Sequence, residues 1–296
     1  MRPLVFPFTK NEEIAANLAS QINAEIGSIL VRRFPDGESY VRYETSVENR
    51  NVILICTLDR PDEKFLPLIF AAAAAFENGA ETVGLVAPYL AYMRQDWRFQ
   101  VGESVTAKHF AAALSPWIDW IVTIDPHLHR ITSLSDVYSV PAFVAHAAPV
   151  VSAWIKEHVK NPVLVGPDSE SEQWVSETAK TADAPFLVLE KTRRGDRDVE
   201  VSVPNVEQWR SHTPVLVDDI ISTARTMIET VGHLRAAGMA PPICIGVHAV
   251  FAGNAFDDLI AAGAGQIVTT NTIAHESNAP DVSPLLAESV RSFLKA

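Results

Sequence analysis

Apolar residues along this 296-residue chain fall in short unbroken runs, separated by longer stretches with helical periodicity. The runs at 52–57, 82–87, 120–125, 162–166, 185–190, 214–218, 243–250 and 266–270 are rich in valine and isoleucine. Most do not alternate with polar residues, the pattern of strands buried on both faces of a parallel sheet. Between them, Asp62–Ala80 and Thr223–Met239 read as helices closed by Gly79 and Gly238. Glycine takes the left-handed conformation that ends a helix at little cost. Ser104–Ser115 and Ala148–Val159 fill two further gaps, and Ser283–Ala296 reads as a closing helix with Ser283 as its N-cap.

Strands alternating with helices predict an α/β fold with mostly parallel sheets flanked by helices. The pattern runs twice. "AFENGAETVGLVAPY" and "HLRAAGMAPPICIGVHAVF" look like one helix–strand unit used in each round. The expected organisation is therefore two similar domains, residues 1–145 and 146–280, followed by a helical segment, 281–296, that packs back on the first domain.

Charge narrows the function classes. With 24 Lys and Arg against 36 Asp and Glu, the net charge is −12. That argues against nucleic acid or an anionic membrane surface as a partner, but not against an anionic small ligand in a pocket with a few local cations. Cys56 and Cys244 sit in apolar runs and read as buried free thiols of a reducing compartment. The longest greasy segment, Leu66–Phe76, is about half of what a membrane span needs. A cytoplasmic location is expected.

Five stretches carry candidate chemistry. In "PVLVDDIISTARTM" (214–227) an apolar strand ends at Asp218 and Asp219 and gives way to Ser222, Thr223, Ala224, Arg225 and Thr226 before a helix. Ligands of open parallel sheets bind beyond the carboxyl ends of strands, and helix N-termini bind phosphate. Acids beside such a nest suit sugar hydroxyls. "RRFPDGESYVR" (32–42) contains a Pro-Asp-Gly turn. "YMRQDWRFQVGES" (92–104) crowds Arg94, Gln95, Asp96 and Arg98 after a strand. The planar fork of arginine suits phosphate. "IVTIDPHLHR" (121–130) delivers Asp125, His127 and His129 into a loop, and Asp168 ends another strand. These donors do not define zinc, whereas a hard cation bridging phosphates needs only one or two protein ligands. "VLEKTRRGDRD" (188–198) places Lys191, Arg193, Arg194 and Arg197 after a strand, as a flap closing on polyphosphate would require. Taken singly, each stretch also reads as an ordinary turn, solvated hairpin or surface loop. The phosphate-loop pattern GxxxxGK[ST], a GxGxxG turn and a GxSxG elbow are all absent from the sequence.

Together and in this order, "RFPDGE", "RQD", "DPH", "EKTR" and "VLVDDIISTART" resemble the ribose-phosphate pyrophosphokinase family, the synthetases of phosphoribosyl pyrophosphate (PRPP). The last stretch is similar to the loop this family shares with type I phosphoribosyltransferases. The resemblance implies two type I phosphoribosyltransferase-like domains, with ATP-side motifs in the first and the ribose 5-phosphate loop and flap in the second. It also implies diphosphoryl transfer from ATP to the anomeric hydroxyl of ribose 5-phosphate, with Mg²⁺ as cofactor. Phe34, Asp36, Gly37 and Glu38, with Arg94, Gln95 and Asp96, would then serve ATP. His127 and Asp168 would be magnesium positions, and Lys191 and Arg193 the catalytic flap residues. Asp218 and Asp219 would hold the ribose, and Ser222, Thr223, Ala224, Arg225 and Thr226 its 5-phosphate, with Arg193 nearby. The resemblance further implies a homo-oligomer in which ATP sites lie between subunits, with "RFPDGE" reaching across.

The chain departs from familiar members in three places. Asp168 is followed by Ser-Glu-Ser-Glu instead of a glycine-rich stretch, "DPH" is followed by "LHR", and Ser222 and Arg225 replace an acid and a glycine. These features resemble the archaeal-type branch. Replacing the acid removes a charge that would oppose phosphate. Arg225 fits only where its φ is negative or mildly left-handed. The alternatives are a non-catalytic regulatory relative and a transferase that consumes PRPP. The first would lose flap or metal residues, and the second would lack "RFPDGE" and "RQD".

Overall fold

A computed structural model describes residues 1–166, 172–193, 199–202 and 206–294. The chain divides into two units. One comprises Met1–His146 with Thr272–Ala274 and Val282–Ala296; the other comprises Ala147–Asn271 with His275–Asp281.

The first unit begins with β1 (Leu4–Pro7), α1 (Glu12–Ile22), the two-residue β2 (Glu25–Ile26) and a hairpin of β3 (Ile29–Arg33) and β4 (Ser39–Tyr43). It continues through β5 (Asn51–Ile55), α2 (Pro61–Glu77), β6 (Thr82–Ala87), α3 (Thr106–Leu114), β7 (Trp120–Ile124) and β8 (Ala142–Ala145). Its six-stranded sheet has the order β2-β1-β5-β6-β7-β8 and is parallel throughout. The unbroken apolar runs are explained by burial on both faces: every residue of β7 is buried, and so are Val52–Ile55 of β5. β1 and β8 were not among the expected strands. Each has only four residues, too few to show a period.

The second unit contains α4 (Ala148–His158), β9 (Pro162–Gly166), α5 (Glu172–Ala182), β10 (Phe186–Val188), a hairpin of β11 (Glu190–Arg193) and β12 (Val199–Ser202), and the short α6 (Val206–Trp209). Then follow β13 (Thr213–Ile221), α7 (Arg225–Ala236), β14 (Ile243–Ala249), α8 (Ala255–Ala261) and β15 (Gln266–Thr269). Its five-stranded sheet, β10-β9-β13-β14-β15, is also parallel throughout.

The repetition extends to the hairpins. In each unit a strand, a helix and a short edge strand lead into an antiparallel ribbon. The chain then returns to the sheet centre and continues helix, strand, helix, strand. The "RFPDGE" hairpin β3–β4 and the "EKTR" hairpin β11–β12 occupy the same place in this order.

Glycine closes the helices as expected. Gly79 and Gly238 take φ of +82° and +78°, with Ala80 N–H donating to Ala75 and Met239 N–H to Leu234. The last helix, Ser283–Leu294, begins at Ser283 itself, and the Val282 carbonyl accepts the first helical bond from Leu286. This helix belongs to the first unit. The Arg291 guanidinium donates to the Gln21 carbonyl at 2.8 Å, and Phe293 stacks on Trp120 with centroids 4.9 Å apart. Gly84 on β6 makes room for that stack, because a Cβ there would lie 2.0 Å from the Trp120 ring. Among the described residues, no helix is long and apolar enough to cross a membrane.

Candidate functional site

In the second unit the central feature is the passage from β13 to α7. The apolar run was expected to end at Asp218, but β13 continues to Ile221. The cause is its neighbour: β13 pairs with β9 only as far as Leu216, while pairing with β14 persists to Ile221 opposite Ala249. Asp218 and Asp219 therefore lie within the strand, on the part that has left β9, and both are half-buried. The Asp219 N–H donates to the Asp218 carboxylate at 3.0 Å.

Four residues past the end of β13, α7 begins. Its N-cap is Ala224, held in the left-handed region at φ 56° and ψ 8°. The steric exception in this loop thus falls on Ala224, and Arg225 is the first helical residue without a positive φ. Alanine has no side-chain acceptor, so it cannot cap the first-turn amides, and that turn contains no acid. The first-turn N–H groups and the helix dipole favour an anion at such an end. An arginine at the first position opposes the dipole unless an anion compensates it. Ser222 and Thr226 are half-buried beside this terminus, while Thr223 and Arg225 are exposed.

The loop is also braced from β14. Phe251 N–H donates to the Ile221 carbonyl at 2.8 Å, and Ala252 N–H to the Ser222 carbonyl at 3.0 Å. Nothing in the sequence singled these residues out, because the bonds join segments thirty residues apart.

On the β11–β12 ribbon, Lys191 lies opposite Val201 and Arg193 opposite Val199 in the backbone register. Asp168, Arg194 and Arg197 lie outside the described residues.

In the first unit, the Pro-Asp-Gly turn closes β3 on β4. Gly37 takes φ +94°, the Phe34 N–H donates to the Glu38 carbonyl at 2.7 Å, and the Glu38 N–H donates to the Asp36 carboxylate at 3.2 Å. Phe34 is 39% exposed. The Arg32 guanidinium sits 4.5 Å from the Phe34 centroid and 4.4 Å from that of Tyr40, and the two rings meet edge-on at 5.8 Å. Cation–π contact on both rings holds an exposed aromatic face in place.

The "RQD" and "DPH" loops are joined. Asp96 is 5% exposed, and its carboxylate accepts from the Arg130 backbone N–H at 3.1 Å and from the Arg130 guanidinium at 3.3 Å. Asp96 is a tether, while Arg94, two residues before it, is exposed. Gln95 donates to the Trp97 carbonyl at 3.2 Å. Glu103 accepts from the Phe99 and Gln100 N–H groups, at 2.7 and 3.0 Å, and so shapes the rest of this loop.

Asp125 and His127 both have positive φ, 33° and 55°, and the His127 N–H donates to the Asp125 carbonyl at 2.8 Å. The buried Asp125 carboxylate meets His146 Nδ1 at 2.8 Å. His127 is half-buried, with its ring centroid 4.2 Å from that of His129. Strained backbone of this kind concentrates at functional positions.

A family model described as the N-terminal domain of ribose phosphate pyrophosphokinase matches residues 4–116, and one described as a phosphoribosyl transferase domain matches residues 133–278. The chain is 32% identical to the ribose-phosphate pyrophosphokinase of Methanopyrus kandleri, over 98% of this chain and 99% of that one. It is 32% identical to the Sulfurisphaera tokodaii protein of the same name, over 95% and 98%. With the Methanosarcina acetivorans protein of that name it shares 33% identity over 94% and 95%. Among solved structures, its fold is similar to that of a phosphoribosylpyrophosphate synthetase from Mycobacterium smegmatis. The TM-score is 0.86 at 24% identity, covering 100% of this chain and 99% of that one.

Proposed function

The chain belongs to the ribose-phosphate pyrophosphokinase family, and we propose that it makes PRPP by moving the diphosphoryl group of ATP to the anomeric hydroxyl of ribose 5-phosphate, with release of AMP. The observation that carries the acceptor half is the start of α7. It combines an alanine N-cap that makes no side-chain cap bond, a first turn free of acid, an arginine at its first position, and two half-buried aspartates on the strand that feeds it. In this reading Asp218 and Asp219 hold the ribose hydroxyls, and Ser222–Thr226 cradle the 5-phosphate.

The first unit supplies the ATP-directed groups and the second the sugar-directed ones. The exposed face of Phe34 packs on the adenine, with Asp36, Gly37 and Glu38 shaping the turn that presents it. Arg94 and Gln95 take the phosphates, and Asp96 contributes by tying their loop to Arg130. The hairpin β3–β4 forms its own two-stranded ribbon with Phe34 exposed, which supports a homo-oligomer in which this hairpin serves a neighbouring subunit's ATP.

The family's phosphate chemistry and a site needing few protein donors suit a cation that takes most of its ligands from water and phosphate, as magnesium does, more than a closed zinc centre. His127 is an accessible imidazole on a constrained turn, and the neighbouring Asp125 is already engaged by His146. A cation held largely by water and phosphate oxygens needs no more than His127 and the carboxylate of Asp168. When bound, it would neutralise charge on the transferred phosphates.

The chain's own groups position and stabilise. The anomeric oxygen attacks the β-phosphorus, its proton passes to solvent, and the bond from that phosphorus to the α,β-bridging oxygen breaks. Lys191 and Arg193 offset the negative charge that develops on the departing AMP. A ribbon carrying them, closing over the reactants, also keeps water from the donor. The test is AMP formation from ATP, Mg²⁺ and ribose 5-phosphate by wild type and Lys191→Ala. The expected loss on substitution is about 10²–10³-fold in kcat, the scale of removing one preorganised charge. Near-wild-type turnover by Lys191→Ala would remove the flap assignment. Absence of AMP from folded wild type would refute the activity.

A further inference from the structure

The turn after β14 does more than connect it to α8. Phe251 sits at φ +34°, a conformation that a residue with a large side chain keeps only when its surroundings impose it. From this position its N–H reaches the carbonyl of Ile221, the last residue of β13, and the next N–H reaches that of Ser222, the first residue of the phosphate loop. Ile221 is seated from a second side. Its side chain lies over Gly246 of β14, where an added Cβ would come within 2.5 Å of it.

The Phe251 ring explains why the turn cannot relax. It lies tilted against His275 at 4.6 Å and meets Phe256 of α8 edge-on at 5.2 Å, while Phe256 and His275 meet at 4.8 Å. His275 is itself anchored, with Nδ1 2.8 Å from the Ser277 hydroxyl. Burial lowers its basicity, against a smaller opposing pull from Glu276, and so favours the neutral ring. Phe251 also packs against the core cluster that contains Ile221, Ala224 and Met227, which are residues of β13, the loop and α7.

We propose that Phe251 is a positioning residue for the sugar-phosphate site. The three-ring clamp fixes the 251–252 backbone, which in turn fixes the Ile221 and Ser222 carbonyls and so aims the amides and hydroxyls of Ser222–Thr226. This inference rests on reading that loop as the 5-phosphate cradle. It adds that the cradle is pre-formed by a turn which touches no substrate.

Initial rates over ribose 5-phosphate and ATP titrations test it, with Phe251→Ala, Phe251→Tyr and the loop variant Thr226→Val. The expected result is a rise of about tenfold in KM for ribose 5-phosphate in Phe251→Ala, KM for ATP within about twofold, and recovery in Phe251→Tyr, which keeps the ring. A merely structural role would lower thermal stability and active fraction without separating the two KM values. Equal changes in both, or no change in KM for ribose 5-phosphate, would overturn the proposal while leaving the Thr226→Val effect intact. If Thr226→Val also left that KM unchanged, the cradle reading itself would fall, and this inference with it. Should Phe251→Ala not fold, His275→Gln removes one flank of the clamp. A rise of about threefold in the same KM then supports the proposal, and no rise overturns it.

Discussion

Replacing Asp96 should loosen two motifs at once, because one buried carboxylate joins the "RQD" loop to the "DPH" loop. The bond from the Arg130 backbone N–H, at 3.1 Å, joins a neutral donor to an ionised acceptor whose side chain is 3% exposed, and contributes about 1.5 kcal/mol. The guanidinium contact, at 3.3 Å with the arginine side chain 53% exposed, is screened by water and contributes at most about 1 kcal/mol. Asp96→Ala should therefore cost about 2–2.5 kcal/mol, most of it from the orphaned backbone N–H. Arg130→Met should cost no more than about 1 kcal/mol, because the backbone bond survives. Asp96→Asn, which keeps an acceptor, should fall between them. Read by thermal unfolding, Asp96→Ala should shift the transition of the first unit down by about 6 °C. Read by initial rates, it should raise KM for ATP with little effect on KM for ribose 5-phosphate. Equal losses in Arg130→Met and Asp96→Ala would refute the ordering of the two bonds. Wild-type stability and ATP affinity in Asp96→Ala would refute the tether.

Three further outcomes follow from particular contacts. Gly84→Ala would place a Cβ 2.0 Å from the Trp120 ring and push it out of its stack on Phe293. Overpacking of this kind costs roughly 1–3 kcal/mol, and limited proteolysis should then cut at the closing helix first. Burial pushes the thiols of Cys56 and Cys244 up to about 12, so neither should react with a thiol reagent at neutral pH until the chain unfolds. Because each folded value lies above the unfolded one, their contribution to stability is complete below the ordinary thiol pKa and is lost as pH rises towards 12, which alkaline denaturation would report. Arg225→Gln should raise KM for ribose 5-phosphate several-fold, while stability without ligand is unchanged or higher by up to about 0.5 kcal/mol, since the arginine opposes the dipole of α7 until an anion arrives. An unchanged KM would put the Arg225 side chain in solvent.

Much of this protein was legible in the order of its residues, for reasons that are local. Valine- and isoleucine-rich runs such as "VILI" and "WIVTI" are best satisfied by burial on both sides, so eight strands could be expected from local pattern alone. Gly79 and Gly238 marked helix ends because a left-handed residue is needed there whatever surrounds it. Motif order was sufficient to indicate the family, since five short stretches in sequence carry more information than any one of them.

Other features depended on partners distant in the chain. β13 runs past its aspartates because β14 lies alongside, and no residue of 214–221 encodes that neighbour. The left-handed position fell on Ala224, not Arg225, because the helix begins where packing of Met227 and Val231 sets its phase. Asp96 looked like one more polar residue in a charged loop until burial and Arg130 made it a tether. Phe251 carried no signal at all, because its role lies in two hydrogen bonds and two ring contacts that only the assembled sheet brings together. Periodicity and turn chemistry are properties of a few adjacent residues and can be read directly. Register, burial and bracing are properties of pairs far apart in the chain, and they arise only when the hydrophobic core closes.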